Sequence, residues 1–444
     1  MTARIAILLD HSGLHDSRVA RQAGTLKAAG YDVTVFCLNP DETATDVVHH
    51  GVLYVQCFLN AENTVPVLSG LARRFRPRPL HTIDAPSGPT VQSNAEVGSA
   101  KRTLGALFSF SNALKAVSPA VIAYRPDIIH AHDLNMLPAG VALCKQMNCK
   151  LVYDSHEYER SRNSNPGAGE HRVRMYNERR AIAHADCVIT VSDSIADALA
   201  RTYNLDRPSV ILNTPQPYKI PKSETVTRKT YDLPAGVKVG IYIGTMSRGR
   251  GIEEALQSLT EISDLHIAIM GPATASRRSQ ISDYACALGV SERCHILPAA
   301  SDADITSIIK LCDFCWIPIQ KTCLSYDFAL PNKLFQSYEA GLPIFSTPLF
   351  EISQFIEYFG CGAVAKGFDG SAQAAALAQF LPKLIEFKQS RRRAEDYQHY
   401  GFETMSARFL QLYSQVLSED FPLQGSPFLP HYKPSGSLKT GRAN

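Results

Sequence analysis

The stretch VGIYIGTMSRGRGIEEAL, residues 239–256, has the pattern of a buried strand, a glycine-rich turn and the start of a helix. Its strand is short and nearly all apolar, which is typical of a parallel strand covered on both faces. The turn contains Gly244, Arg248 and Arg250, and the helix begins near Ile252. Ligands of doubly wound sheets bind at the carboxyl ends of strands, so this turn is a candidate binding loop.

The same alternation of strand, loop and helix runs through the chain on both sides of this stretch. Before it, strands are predicted at RIAILL, YDVTVFCL, DIIHAH, KLVYDS, DCVITVS and SVILN; after it, at LHIAIMG, CHILP, DFCWIPI and LPIFSTP. A helix over SRVARQAGTLKAAG ends at Gly30, and Ser192 is a natural N-cap for the helix DSIADALARTYN. The pattern predicts an α/β protein with two doubly wound, Rossmann-like domains and parallel sheets.

Length and local composition set the domain boundaries. A chain of 444 residues is too long for one ordinary core, so two domains of roughly 200 residues are expected. We place the first at 1–213 and the second at 237–400, joined by a linker over 214–236 that is rich in proline, threonine and charge. A helix over 401–420 is expected to return to the first domain, and residues 421–444 to form a flexible tail.

Composition limits the classes of function. With 45% apolar residues, 20% charged residues and a net charge of +3, the chain is expected to be globular and soluble, and its charge is too mild to imply nucleic acid. The eleven cysteines show no disulfide-like or zinc-like spacing, and Cys312 and Cys315 form a CxxC without a second pair. Reduced thiols in a cytoplasmic protein are therefore expected. No apolar run is long enough for a membrane span, so any membrane contact should be peripheral.

Two clusters of arginine stand out from this mild charge. One consists of Arg73, Arg74, Arg76 and Arg78, and the other of Arg172, Arg174, Arg179 and Arg180. Each is either a solvated face or a patch for anionic lipid headgroups or a charged acceptor.

The loop at 244–251 has the features of a phosphate site. Glycines let the backbone approach a bound group, the following helix offers unpaired N–H donors, and Arg248 and Arg250 add positive charge. The loop matches neither the dinucleotide pattern GxGxxG nor the GK[ST] of a P-loop, which argues against hydride transfer and ATP hydrolysis. A plain glycine-rich turn is the alternative.

A second cationic position lies in PNKLFQSYEAGLP, residues 331–343. This segment predicts a short amphipathic helix with Leu334, Phe335 and Tyr338 on its core face, and Lys333 and Gln336 on the other. A cation in the first turn opposes the helix dipole. The position of Lys333 is easier to explain if an anion normally binds in front of it.

Two loops of the first domain carry titratable side chains. In DIIHAHDLNMLPAG, residues 127–140, His130 and His132 share a face at the end of a strand, next to Asp133. They are either core histidines or ligands for hydroxyls or an acidic group, and the pattern supplies no third ligand for zinc.

The other loop, YDSHEYERSR at 153–162, holds Asp154, His156, Glu157 and Glu159. It either contains a general base or carries carboxylates that complement a helix start.

Taken in order, these motifs resemble the GT-B glycosyltransferases of family 4 type (group 1), which are retaining enzymes. The resemblance covers roughly residues 1–415 and rests on DSRVARQAGTLKAAGYDVTV, PDIIHAHD, LVYDSHE, ADCVITVSDSIADAL with VILNTP, YIGTMSRGRGIEEAL and ALPNKLFQSYEAGLPI. It implies transfer of a hexose-type sugar from a nucleoside diphosphate donor to a saccharide or lipid-linked acceptor, in a cleft between the two domains and without a metal. Such an enzyme would act in the cytoplasm or at the inner face of the cytoplasmic membrane.

The resemblance also implies roles for individual residues. His132, with Asp133, corresponds to the catalytic position near the donor sugar, and Gly244, Arg248, Arg250 and Lys333 to the donor diphosphate site. Acceptor-side contacts are expected from Ser12, Gly13, Arg18, His156 and Glu157.

One part of the family pattern differs in this sequence. Many relatives carry two glutamates, for the sugar hydroxyls and the ribose, where this chain has Phe328 and Gln336. Donor sugar and ribose contacts are therefore expected among Phe328, Asn332, Gln336 and Glu339. Because of this difference, a sugar-nucleotide-binding, non-catalytic subunit of a transferase complex stays open as an alternative. A sugar-nucleotide epimerase of similar two-domain build is a further alternative.

Overall fold

The computed structural model describes residues 2–13, 16–41, 43–58, 93–163, 167–216, 227–300, 302–389, 398–418, 432 and 434. The first arginine cluster, part of the expected linker and nearly all of the expected tail lie outside these ranges.

The described residues form two sheets, as predicted from the alternating pattern. The first has the strand order β3-β4-β2-β1-β5-β6-β7-β8; its strands are β1 (Arg4–Leu9), β2 (Asp32–Asn39), β3 (Val47–His49), β4 (Val52–Phe58), β5 (Ile128–His132), β6 (Lys150–Ser155), β7 (Cys187–Thr190) and β8 (Ser209–Val210). The second has the order β11-β10-β9-β12-β13-β14; its strands are β9 (Lys238–Ile243), β10 (Leu265–Met270), β11 (Cys294–Leu297), β12 (Phe314–Ile317), β13 (Ile344–Ser346) and β14 (Gly362–Val364).

One edge of the first sheet departs from the expected parallel arrangement. Strands β3 and β4 pair antiparallel, with His49 opposite Val52. The two residues between them, His50 and Gly51, have φ values of 48° and 75°, as a tight hairpin turn requires at both central positions. The sequence pattern missed this hairpin because a histidine at the first of these positions is an uncommon turn signal.

Helices cover the sheets and connect successive parallel strands. They are α1 (Ser17–Ala28), α2 (Ser93–Tyr124), α3 (Asp133–Met147), α4 (Ala168–Ile182), α5 (Asp193–Tyr203), α6 (Ile252–Ser258), α7 (Ala275–Ala287), α8 (Asp302–Ile309), α9 (Leu324–Phe328), α10 (Asn332–Glu339), α11 (Phe350–Phe359), α12 (Gly370–Phe380), α13 (Leu384–Gln389) and α14 (Phe402–Ser418). Ser192 caps α5 by accepting from the N–H of Ile195, and Asp16 caps α1. Among the helices described, none is long and apolar enough to cross a membrane.

The long helix α2 packs onto the first sheet with an apolar stripe. Phe110, Ala113, Val117 and Val121 are buried in the same core as Ala6 and other strand residues. The apolar pattern that the sequence shows here is therefore a core face over the described part of the helix.

The last helix, α14, lies on the first domain although it follows the second in sequence. Phe409, Leu412, Tyr413 and Val416 join the core built on β1 and β2, and the Tyr413 hydroxyl lies 2.7 Å from Nδ1 of His130. The chain thus crosses between the domains twice, which fixes the first domain against both ends of the second.

Helix α9 joins the domains at a third place. It belongs to the second domain, yet Phe328 is fully buried in the first-domain core, with its ring 6.4 Å from that of Tyr158. The backbone N–H of Tyr158 donates to the Ser325 hydroxyl at 3.2 Å. This insertion places residues 325–332 at the interface between the sheets.

Candidate active site

The described parts of the two domains enclose an open cleft of about 590 Å³. It lies where the carboxyl ends of the strands of both sheets meet, as the fold predicts. Its lining residues come from the loops after β1, β6, β7, β8 and β9, from α1, and from the segment around α9 and α10: His11, Ser12, Asp16, Ser17, Arg18, His156, Glu157, Val191, Asn213, Arg250, Ser325, Tyr326, Ala329, Leu330, Pro331 and Asn332.

Lys333 is a buried cation that follows the lining residue Asn332 in sequence, although its own side chain does not line the cleft. It lies in the first turn of α10, and its Nζ is 3.9 Å from the centroid of the Tyr242 ring. Its ammonium has no hydrogen-bond partner in the part of the chain that the structure describes. Burial, with a further contribution from the charge of Arg250, lowers the pKa of Lys333 to about 7. A desolvated cation without a counter-ion is costly, so the arrangement indicates an anion site.

Arg250 supplies a second cation to the same region. It lines the cleft, and its guanidinium carbon lies 4.7 Å from the centroid of the Tyr326 ring. Its Nε is buried and has no hydrogen-bond partner among the residues described. Two cations held by aromatic rings rather than by carboxylates remain available to a negatively charged ligand.

Glycines shape the loop between β9 and α6 around these cations. Gly244 has a φ of 131°, and a Cβ at this position would stand 3.1 Å from Lys333 Nζ. Gly251 has a φ of 76°, and a Cβ there would meet the carbonyl oxygen of Pro318 at 1.7 Å. The loop therefore needs glycine both to pack against Pro318 and to leave room beside the Lys333 ammonium.

The expected helix-start phosphate site is only partly present. Helix α6 begins at Ile252 as predicted, but Glu253 and Glu254 occupy its first turn, and Glu253 pairs with Arg277 at 2.6 Å. Arg248 is exposed and does not line the cleft. The positive charge available to an anion comes instead from Lys333 and Arg250.

A buried polar cluster centred on Asp154 lies behind the first-domain wall of the cleft, and Arg18 and His156 reach from it into the lining. Arg18 binds both carboxylate oxygens of Asp154, at 2.8 and 2.9 Å, and Gln22 donates to one of them at 2.8 Å. Burial alone would raise the pKa of Asp154, but the charges of Arg18 and His156 hold it well below the usual range. Three histidines surround this carboxylate: His130, His132 and His156.

The histidines differ in protonation because their neighbours differ. Burial lowers the pKa of His132 well below its ordinary value, and the charge of His130 adds to this effect. Burial also opposes a charge on His156, but Asp133 and Asp154 outweigh it and raise the pKa of His156 to about 9.

The contact between two of these histidines fixes a tautomer. His156 Nε2 and His132 Nδ1 are 2.9 Å apart, and the charged His156 must be the donor. The hydrogen of neutral His132 therefore resides on Nε2, which has no acceptor within the described ranges. This leaves a buried N–H that can donate to a ligand hydroxyl.

Asp133 is held in a strained conformation beside His156. Its φ of 56° lies in the left-handed region, which costs a residue other than glycine about 1 kcal/mol. Its carboxylate accepts from the backbone N–H of His156 at 3.2 Å and lies 3.4 Å from the ring Nδ1. Burial raises the pKa of Asp133 to about 6, so it is ionised at neutral pH and supports the charge of His156.

His130, His132 and Asp154 also offer ligand atoms within 4.8 Å of one another, so Asp154 is the third ligand that the sequence pattern did not supply. Both oxygens of Asp154 already accept from Arg18, and this guanidinium would repel a bound cation. These contacts fit an ion-paired network better than a metal centre.

The remaining expected site residues fall into two groups. Ser12, Glu157 and Asn332 line the cleft, as do Arg18 and His156, and Asn332 donates to Ser17 across it at 3.1 Å. The others do not line it: Gly13 and Gln336 are buried behind it, Glu339 is exposed at the far end of α10, and Phe328 is in the first-domain core. The expected donor-sugar contact by Phe328 is therefore wrong in this geometry, because its ring fills an apolar site.

Several cleft residues were not selected from the sequence. His11, Asp16, Asn213 and Tyr326 line the cleft, and Tyr242 supports Lys333 from below. Most of them lie in loops directly after strands, so the rule for ligand binding at strand ends could have found them. Tyr242 lies within strand β9, and the apolar pattern of a strand does not distinguish a ring packed in the core from a ring that faces a cation.

Comparison with known proteins gives consistent results for sequence and fold. Residues 16–214 match the model of the glycosyl transferase 4-like domain. A D-inositol 3-phosphate glycosyltransferase from Salinispora tropica is 20% identical over 71% of this chain and 69% of its own length.

Among solved structures, sucrose-phosphate synthase from Thermosynechococcus elongatus superposes with a TM-score of 0.69 at 16% identity, over 94% of this chain and 100% of the other. HepE from Anabaena, in complex with UDP and glucose, gives a TM-score of 0.63 at 14% identity, over 93% of this chain and 99% of the other. At these identities the structures establish a shared fold.

Proposed function

Because this chain belongs to the group 1 glycosyltransferases of GT-B fold, we propose that its cleft transfers a sugar from a nucleoside diphosphate sugar to a saccharide or lipid-linked acceptor, with retention of anomeric configuration. The observation that carries this proposal is the pair of cations, Lys333 and Arg250, whose Nζ and Nε have no hydrogen-bond partner in the described chain. A diphosphate is the anion that a glycosyltransferase needs to bind there.

The two cations would act mainly on the leaving group. Negative charge grows on the diphosphate as the bond to the sugar breaks, and fixed positive charge in a water-poor site stabilises that change. Since burial lowers the pKa of Lys333 to about 7, a bound diphosphate would raise it and keep the ammonium charged through the reaction. We propose that the two side chains make a metal unnecessary, so that EDTA leaves turnover unchanged.

The histidine pair would serve the sugar side of the reaction. The N–H on Nε2 of His132 is suited to a donor-sugar hydroxyl, and the charged His156 lines the cleft. Asp133 and Asp154 position and charge His156 through the contacts described above. We assign these groups to binding and orientation, with the diphosphate cations as the larger electrostatic contribution.

The acceptor side of the cleft is polar and of mixed charge. His11 and Asp16 pair at 3.4 Å, and Glu157 pairs with Arg162 at 2.8 Å. Such a surface suits the hydroxyl groups of a saccharide, free or attached to a lipid. A lipid-linked acceptor would bring the protein to the inner face of the cytoplasmic membrane by peripheral contact.

The test is a donor and acceptor screen on the purified chain. We expect release of nucleoside diphosphate from one donor, starting with UDP-glucose since HepE was solved with UDP and glucose, and an acceptor product of the same anomeric configuration by NMR. Conversion of the donor into an epimer without acceptor would contradict the proposal. So would a chain that binds donor but turns over only as part of another transferase's complex.

A further inference from the structure

A second pocket, of about 290 Å³, lies on the flank of the first domain and shares no residue with the cleft. It is formed by the turn at Glu159–Ser161, by helix α4 and by the end of helix α5. Its lining consists of Arg160, His171, Arg172, Met175, Arg179, Thr202 and Tyr203. Three guanidinium groups and an imidazole thus surround one concave site, and its lining contains no carboxylate.

The arginines of this pocket are available to a ligand. Among the described residues, no hydrogen bond or ion pair involves the side chain of Arg160 or Arg172. Arg179 donates to the carbonyl oxygen of Thr202 at 3.1 Å and lies 5.8 Å from the centroid of the Tyr203 ring. These are neutral contacts, so the charge of the pocket is not cancelled from within.

Carboxylates on the same elements are engaged elsewhere or lie outside the lining. Glu159 binds Arg162 at 2.9 Å and Arg174 at 2.8 Å. Arg174, one of the four arginines in the cluster expected from the sequence, is therefore paired and does not contribute free charge to the pocket. Glu178 accepts from the hydroxyls of Tyr153 and Tyr203 at 3.0 and 2.5 Å. The carboxylates described here therefore leave the positive charge of the pocket uncompensated.

We propose that this pocket binds the phosphate group of a phosphorylated ligand. Guanidinium groups match the oxygens of a phosphate in pairs, and three of them suit a dianion better than a single carboxylate. Met175 and Tyr203 add apolar surface on which the carbon part of the ligand can lie, and the hydrogen bond to Glu178 fixes the Tyr203 ring. The proposal does not depend on the assignment of the cleft.

The experiment measures binding of inorganic phosphate and glycerol 1-phosphate by ³¹P NMR at low salt. The full-length chain carries Lys333→Met and Arg250→Gln, which removes the cations of the cleft. In this background we compare Arg172→Gln with the matched control Arg180→Gln. Arg180 lies on the same helix as Arg172, so its replacement by glutamine removes the same charge. Its side chain donates to Tyr176 and does not line the pocket.

The expected result is that both probes bind in the cleft-disabled background, that Arg172→Gln weakens binding about tenfold or more, and that Arg180→Gln changes it less than twofold. Three results would overturn the proposal: no binding in that background, equal effects of the two substitutions, or no effect of Arg172→Gln. Since both arginines are exposed, loss of folding should not confuse the comparison, and circular dichroism checks it.

A second arm identifies the source of the phosphate. Sedimentation with phosphatidylglycerol vesicles, against phosphatidylcholine vesicles as control, tests a lipid headgroup. Vesicle binding that Arg172→Gln abolishes and Arg180→Gln retains would support the pocket with a lipid as its ligand. Absence of vesicle binding, with probe binding still lost in Arg172→Gln, would support it with a free phosphorylated compound. Vesicle binding that both substitutions weaken equally would show that the lipid is attracted by the general positive charge of this surface. That result would overturn the pocket as the lipid-binding site.

Discussion

Lys333 is the residue at which a loss of folding stability and a proposed role in the reaction coincide most directly. Its ammonium is buried against Tyr242 without a hydrogen-bond partner within the described chain. The folded state therefore binds a proton at this site less tightly than the unfolded chain, in which the pKa is about 10.5. Below pH 10.5 this buried site therefore lowers the free energy of unfolding, but it provides a cation that a diphosphate can bind.

Replacing this cation should stabilise the protein and inactivate it. Because the folded pKa of Lys333, about 7, lies below the unfolded value, its cost is complete below about pH 7 and fades as the pH rises toward 10.5. Lys333→Met should therefore raise the free energy of unfolding at pH 6 by about 1 kcal/mol or more, and the gain should disappear near pH 10. Urea unfolding at several pH values measures it, and a loss of stability at pH 6 would refute the assignment of a buried, unpaired ammonium.

The same pKa predicts proton uptake when a nucleoside diphosphate binds. With a pKa of about 7, most Lys333 is neutral at pH 8 before a ligand binds, and a bound diphosphate should draw up to one proton onto it. Titration calorimetry in two buffers of different ionisation enthalpy should report this uptake at pH 8 and little of it at pH 6. Lys333→Arg is the matched control, because a guanidinium stays charged and should bind the ligand without uptake. Uptake that persists in this variant would exclude Lys333 as its source.

Substitution of two arginines in one loop distinguishes a phosphate site at Lys333 and Arg250 from the helix-start site expected from the sequence. Arg250 lines the cleft, whereas Arg248 is exposed outside it. Arg250→Ala should lower kcat about 100-fold or more, since it removes charge stabilisation of the leaving group, and Arg248→Ala should stay within about threefold. Similar losses of kcat in both variants would instead support a phosphate site at the start of helix α6.

At this scale the sequence is informative where a residue is chemically out of place. Lys333, a cation in the first turn of a helix, is such a case: the structure shows its ammonium buried without a hydrogen-bond partner among the described residues, and its role toward an anion stays a prediction. Sequence reasoning failed where a side chain's direction decides its role. Phe328 occupies the position of a sugar contact in the family pattern, but only the packing of α9 against Tyr158 shows that its ring is core.

At the scale of elements, the strands were the most predictable part of the chain. Nearly continuous apolar runs such as RIAILL and KLVYDS gave strands with the bounds that the structure has. The hairpin β3–β4 was missed because His50 in a left-handed conformation has no reliable sequence signal. The short helix α9 was missed as an element because its apolar residues are buried by the other domain rather than by its own.

That insertion predicts an effect on stability rather than on substrate binding. Phe328→Ala should lower the free energy of unfolding by about 3–5 kcal/mol, since the ring is fully buried in the first-domain core. The KM for the donor should change little in the fraction that remains folded. Phe328→Leu is the control, because it keeps most of the apolar volume and should lose less stability. A stable Phe328→Ala protein with a KM raised more than tenfold would instead support a sugar contact.

The whole molecule is arranged so that the cleft depends on contacts between the domains. Helix α14 packs on the first sheet, Phe328 enters the first core, and Glu351 accepts from the backbone N–H of Ser194 at 2.7 Å. The two sheets could be predicted from alternation of elements. Their mutual orientation could not, since it rests on these contacts between residues that are distant in sequence.

The most direct test of the account is a crystal structure of the chain with the nucleoside diphosphate of its donor. We predict the diphosphate oxygens within hydrogen-bond distance of both Lys333 Nζ and the Arg250 guanidinium, beside Gly244. A diphosphate that contacts Arg248 and the first turn of α6, with Lys333 still unpaired, would contradict it.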